Sequence, residues 1–225
     1  LLTAYPSGWT NNFNYPRNTK IIFHPFFDSS FFSRPNLKEK KIDLLAIGAI
    51  TSNFIYQPRI DLDKQLSMLP NKFRVEFSHC AGSGNVLLPG PTERKDSRTG
   101  EKIYFLNKWS EYLGSSKYVI FGRMRYPSLI SKYYEVLGSG AIPIFPDIAD
   151  LKYLKLEPFK HYIPLSEVEN NNDKLEHCLD NYERYRFIAE NAVNWYKKES
   201  DRMTFNGFED FVQEITKNKY PKRVI

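Results

Sequence analysis

The stretch Ile42 to Ile50, IDLLAIGAI, constrains this chain more than any other. Only Asp43 and Gly48 interrupt the apolar run, so both faces of the segment must be covered. A run of this kind reads as a buried parallel strand, because a strand with one wet face would alternate. Parallel strands need crossovers, and the rest of the sequence supplies them. Further strands are expected at Ile21–Phe23, Phe73–Phe77, Lys117–Phe121, Ala141–Phe145 and Tyr162–Leu165. Between them lie stretches of helical period. Residues 58–69 place Ile60, Leu62, Leu66 and Leu69 on one side, residues 103–113 do so with Phe105, Leu106, Trp109 and Leu113, and 127–137 stops at Gly138. Two helices, about 172–199 and 207–218, close the chain, with Asn172-Asp173 as N-cap.

Such alternation predicts an α/β, Rossmann-like three-layer domain with a mainly parallel sheet and a helical C-terminus. Residues 1–20, rich in Pro, Asn, Gly and Ser, read as an irregular lead-in, and 21–225 as a single domain. Two cysteines, Cys80 and Cys178, are too few for a disulfide framework or a four-ligand zinc site. With no apolar run near the ~20 residues of a membrane span, no transmembrane segment is expected, and the reading is cytoplasmic. A net charge of +6 suits an anionic partner. The basic residues are dispersed and no RNA-binding, zinc-finger or basic-zipper pattern occurs, which favours a phosphate-bearing small molecule over nucleic acid.

The chemistry concentrates in Tyr118 to Pro146, YVIFGRMRYPSLISKYYEVLGSGAIPIFP. A strand delivers the chain to a loop with Arg123 and Arg125, and Pro127 suits the first position of a helix. That helix carries Ser131, Lys132 and Glu135, the last two neighbours on one face, and Gly138 and Gly140 end it. Ligands of parallel sheets sit at the carboxyl ends of strands, and helix N-termini attract phosphate. Arg125 and Lys132 would meet a diphosphate there, and Glu135 would accept the hydroxyls of a ribose. Gly48, ending the first long strand, would let backbone approach phosphate closely. His79 follows another strand and opens a Gly-Ser-Gly loop that could touch sugar or phosphate.

SKYYEVLGSGAIPIF resembles the K-x-x-E-x-x-x-x-G-x-x-P-[IV] segment in the C-terminal lobes of GT-B glycosyltransferases. IIFHPFFDSSFF is similar to their interlobe segment, and KKIDLLAIGAITSNFIYQPR to the first strand, glycine loop and Tyr-x-Pro-Arg of CgeB-like members. The resemblance covers about residues 20–165. It implies metal-independent transfer of a sugar from a nucleoside-diphosphate sugar to a glycan or other hydroxyl acceptor. The donor is a substrate and no cofactor is implied. The acceptor lobe of these enzymes would belong to further domains of the same polypeptide. Many retaining members carry a second glutamate eight residues upstream of the ribose glutamate, but Pro127 stands there, which leaves the sugar contact and the catalytic group unassigned.

Each motif also has a plainer reading. Lys132 and Glu135 fit an i,i+3 surface ion pair. Arg59 fits a structural cap as well as a donor contact. Asp61-Leu62-Asp63 matches the metal-binding Asp-x-Asp of GT-A enzymes, but on a helix the two carboxylates diverge by about 200°, so no metal site is assigned. The remaining alternative is an inactive nucleotide-binding or regulatory module of a larger protein.

Overall fold

The computed structural model describes residues 39–48, 53–78, 109–124 and 129–203, with short pieces at 2–3, 20–21, 80–81 and 85–86. Its framework is β1 (Ile42–Ile47), α1 (Asn53–Leu66), β2 (Val75–Ser78), β3 (Ser116–Ile120), α2 (Ser131–Ser139), β4 (Ile142–Phe145), α3 (Asp150–Tyr153), β5 (Ile163–Pro164), α4 (Asn172–Asp180) and α5 (Tyr182–Met203). Residues 109–114 are also helical and lead into β3. The strands form one sheet in the order β2-β1-β3-β4-β5, and every neighbouring pair is parallel. Leu2–Thr3 pairs with Lys20–Ile21, and Cys80–Ala81 with Asn85–Val86, as two small ribbons. This is the Rossmann-like α/β fold that the apolar runs predict.

Alternation along the strands divides the core into two layers. Ile47, Val119, Phe121 and Phe145 join Trp109, Tyr133, Val136 and Leu137 on one face. Leu44, Ala46, Ile120 and Ile144 join Leu62 and Leu66 of α1 and Leu175 and Leu179 of α4 on the other. The long helix α5 serves both faces, with Ile188 and Ala189 in one cluster and Ala192, Trp195 and Tyr196 in the other. Burying a continuous apolar strand on two sides is the main stabilising term, at roughly 25 cal/mol per Å².

Several boundaries differ from the expected ones. α1 begins at Asn53 rather than Pro58, which lies in its second turn. A proline there removes one N–H donor near the helix start, and the buried side of the following turns holds the helix. Its end tightens earlier than Leu69, through bonds from Met68 to Gln65 and from Leu69 to Leu66. α2 starts at Ser131, with an extended Ile130 (φ −115°, ψ 165°) before it, so Pro127 is not its first residue. The helix runs through Gly138 and ends at Gly140, whose φ of 79° is the left-handed conformation of a C-terminal glycine stop. The closing helix breaks at Asn181, whose N–H bonds the carbonyls of His177 and Cys178, and the N-cap of α4 is Asn171, accepting from the Lys174 N–H at 3.0 Å. The helix expected at 207–218 lies outside the described residues.

Candidate functional site

The strand order fixes where a ligand belongs. β1 connects outward to β2 on one side and β3 opens the other side, so connections diverge between the carboxyl ends of β1 and β3. In doubly wound sheets that switch point opens the binding crevice. Gly48 ends β1 there, and Phe121-Gly122 follows β3.

Arg59 occupies the crevice. It lies on α1, is only 4% exposed, and donates from Nε to the Gly122 carbonyl at 3.1 Å. Its guanidinium carbon stands 4.9 Å from the centre of the Tyr56 ring. Gly48 has φ 136°, and a Cβ on it would be 3.0 Å from Arg59 Nη1. A Cβ on Gly122 would be 2.9 Å from Arg59 Cγ and 3.0 Å from its Cα. Two glycines thus clear the space that one arginine fills. Burial of a permanently charged guanidinium is costly unless its surroundings are polar and fixed, which makes this crevice the candidate site.

A cavity of about 50 Å³ opens beside it, lined among others by Arg59, Phe121, Arg123, Tyr133 and Asp147. Its wall is aromatic. Tyr133 packs edge-on against Phe121 at 4.8 Å and Phe145 at 4.7 Å between ring centres. Its polar rim is braced. Arg123 Nε lies 3.1 Å from Glu169 Oε2, and Asp147 Oδ2 accepts from Ser166 Oγ at 2.6 Å. At the end of β2, beside Ile47 in register, the buried Ser78 hydroxyl meets no hydrogen-bond partner among the described residues. The arrangement offers cations, one carboxylate and an aromatic floor at the mouth of a parallel sheet.

The residues singled out from sequence are divided among three places. Gly48 is in the crevice, but its N–H already donates to the Ser78 carbonyl at 3.2 Å. Ser131 opens α2. Lys132 and Glu135 lie on the same helix, half-buried, and do not pair with each other, unlike the i,i+3 pairs Asp61–Lys64 and Glu157–Lys160. Instead Glu135 Oε2 accepts the Trp109 indole N–H at 2.9 Å. One carboxylate oxygen is therefore engaged within the fold. Gly140 is at the far end of α2, on the amino edge of the sheet, where its carbonyl accepts from Lys40 Nζ at 2.8 Å. It is not brought together with the others. His79 and Arg125 lie outside the described residues.

Sequence reasoning left Arg59 undecided and passed over Tyr133 and Asp147. Asp61 and Asp63 are both on α1, as the helical reading requires. Among the described residues no helix is long and apolar enough to cross a membrane.

Comparison with protein-family models and with curated protein sequences returns no match. Comparison with solved structures does. One of them, described as Anabaena Alr3699/HepE in complex with UDP, superposes over 88% of this chain with a TM-score of 0.56 and 11% sequence identity. The chain spans 57% of that protein's length. The likeness lends no support to a CgeB-like subfamily in particular. It establishes the fold alone: a Rossmann-like α/β domain, shared with a protein solved in complex with UDP.

Proposed function

We propose that this chain is the donor-binding lobe of a glycosyltransferase and takes a nucleoside-diphosphate sugar at the switch-point crevice. The observation that carries the reading is Arg59, buried between Gly48 and Gly122 where β1 and β3 end. Support comes from the fold likeness to a UDP-bound protein and from the resemblance of 131–145 to donor-lobe segments. Transfer breaks the bond between the anomeric carbon and the diphosphate and moves the sugar to an acceptor hydroxyl, and charge builds on the departing diphosphate. Fixed cations facing that charge are the main source of stabilisation. Arg59, Arg123 and Lys132 are this chain's candidates, with Arg125 as a fourth from sequence. Glu135 would orient the ribose through its remaining oxygen, and Asp147 would meet a sugar hydroxyl. No general base is assigned. Transfer would proceed without a metal ion or other cofactor, to a glycan or similar acceptor bound by a further domain.

A second reading is a nucleotide-binding or regulatory module of a larger protein, without transfer activity of its own. Thermal unfolding with UDP-, GDP-, ADP- and TDP-sugars tests both. A selective donor at a hundred times its Kd stabilises the fold by about 2.7 kcal/mol. No shift with any donor would end the nucleotide-sugar reading, and donor hydrolysis or transfer by the isolated chain would end the module reading.

A further inference from the structure

Arg59 has more geometry than a helix cap needs. Its stem leaves α1, which covers one face of the sheet, while its guanidinium reaches the cavity lined by Phe121 and Tyr133 of the other face. On the way it touches both strand ends. Its Nε holds the turn after β3 through the Gly122 carbonyl, and its Nη1 lies against Gly48 in the turn after β1. The same side chain thus bonds one strand end and packs close beside the other. At Gly122 a Cβ would also meet the Arg59 Cα, so helix backbone and turn are in direct contact.

We propose that Arg59 is the positioning residue of the crevice, locking the turns after β1 and β3 to each other and setting the shape and positive potential that a diphosphate meets. The ligand in this inference rests on the nucleotide-sugar reading, whereas the lock itself does not. A guanidinium suits the task because it is planar, permanently charged and has an Nε–H along its stem as well as terminal donors. A lysine at this position would keep a charge but could not hold Gly122 from mid-stem and reach Gly48 at once. Being buried and held before any ligand arrives, the charge acts at short range with little screening. No reorganisation is then needed when phosphate enters.

The test uses the full chain as wild type, Arg59→Lys and Arg59→Met, with circular dichroism as the folding control. Amide hydrogen exchange is read at Ile47–Gly48 and Phe121–Gly122, and calorimetry is done with UDP, GDP, ADP and TDP and with the matching nucleosides. In both variants exchange should quicken about tenfold or more at both turns while β4 stays protected. Arg59→Met should weaken the best nucleoside diphosphate by roughly tenfold to a hundredfold, the range for a lost charged interaction, with little change for the nucleoside. If Arg59→Met does not fold, Arg59→Lys carries the same comparison, since it should lose the lock at both turns and bind more weakly despite keeping its charge. Unchanged exchange at either turn overturns the lock. Faster exchange with wild-type diphosphate affinity reduces Arg59 to a structural residue and overturns the positioning role. If the wild type binds none of the four diphosphates, the donor reading falls, and the exchange data still decide the lock.

Discussion

Lys40 at the amino edge of the sheet and Arg59 at its carboxyl edge are both cations held by backbone carbonyls, yet their surroundings differ. Lys40 Nζ donates to the carbonyls of Gly114 and Gly140, at 2.7 and 2.8 Å, where residues 109–114 and α2 end. Helix C-termini present unpaired carbonyls and the negative end of the dipole, so a lysine there is satisfied by the fold itself. Arg59 sits where strands end and helices begin, gives one N–H to Gly122, and borders an open cavity. The first cation closes the fold. The second, on the proposed reading, faces an anion. A basic residue against backbone therefore says little about function until the edge of the sheet it occupies is known.

The largest effect that would sharpen this contrast is expected at Gly122. Gly122→Ala puts a methyl 2.9 Å from Arg59 Cγ and 3.0 Å from its Cα, so turn and helix must part. Overpacking of this kind costs about 1–3 kcal/mol, readable as a lowered urea midpoint. At the amino edge, Gly140→Ala meets the strain of φ 79°, about 1–2 kcal/mol, and should leave nucleotide affinity unchanged. A neutral Gly122→Ala would mean that Arg59 is loosely held.

Glu135 comes next, because it belongs to both roles. Glu135→Ala orphans the Trp109 indole N–H, inside a helix pair that forms the core. A loss of about 1–2 kcal/mol in stability is expected, within the range for a buried donor left unpaired. Glu135→Gln keeps an acceptor for Trp109 and should preserve the melting temperature. Any drop in nucleoside affinity in that variant then reports on the ribose alone. Equal stability of the Ala and Gln variants would show that the indole bond contributes nothing.

Lys40 makes the amino edge visible in a pH titration. Burial, with the nearby Arg186 charge second, pulls its pKa from 10.5 down to about 8. The folded chain gives up this proton before the unfolded chain does. Between about pH 8 and 10.5 the unfolded state therefore binds more protons, and the Lys40 contribution makes stability rise with pH, by at most about 1.4 kcal/mol per unit. Tyr112 and Tyr118, raised by burial, act in the opposite direction above their ordinary value. The wild type minus Lys40→Met difference isolates the lysine. A flat difference from pH 7 to 10 would remove Lys40 from the account of the amino edge.

How much of this was legible follows from which forces are local. IDLLAIGAI and AIPIF announce buried parallel strands because the pattern that covers two faces is written in consecutive residues. Parallel pairing and the existence of α1 and α2 follow from alternation and connection rules, whereas the strand order is visible only in the structure. Helix starts were less legible. Pro58 and Pro127 both look like first helical residues, yet one lies inside α1 and the other precedes an extended Ile130. The choice depends on packing several residues downstream. Gly138 and Gly140 are equal candidates for a helix stop by composition, and only the backbone shows which turns left-handed. In the site, Lys132 and Glu135 were conspicuous through a spacing, whereas Arg59 is defined by Gly48 and Gly122, one of them 63 residues away along the chain. No local pattern joins those three.

The smallest effect is expected at Lys132, and it separates the two ends of the sheet most cleanly. Lys132 is half-buried on α2 and makes no pair with Glu135, so the surface-pair reading of the motif has no bond to lose. Lys132→Ala should change stability by no more than about 0.5 kcal/mol, as for surface substitutions away from special features. If the side chain faces a ligand near the start of α2, the same variant should weaken nucleoside diphosphate and leave nucleoside binding alone. The loss should be smaller than for Arg59→Met, because a flexible, partly solvated ammonium is more screened than a buried guanidinium. Calorimetry on both variants with one diphosphate gives the ranking directly. If Lys132→Ala costs more affinity than Arg59→Met, the anion is held at the helix start and not at the strand ends, and the carboxyl-edge half of the contrast fails. If neither variant loses affinity while both remain folded, the crevice does not hold the diphosphate. The resemblance of 131–145 to a donor segment would then be one of fold alone.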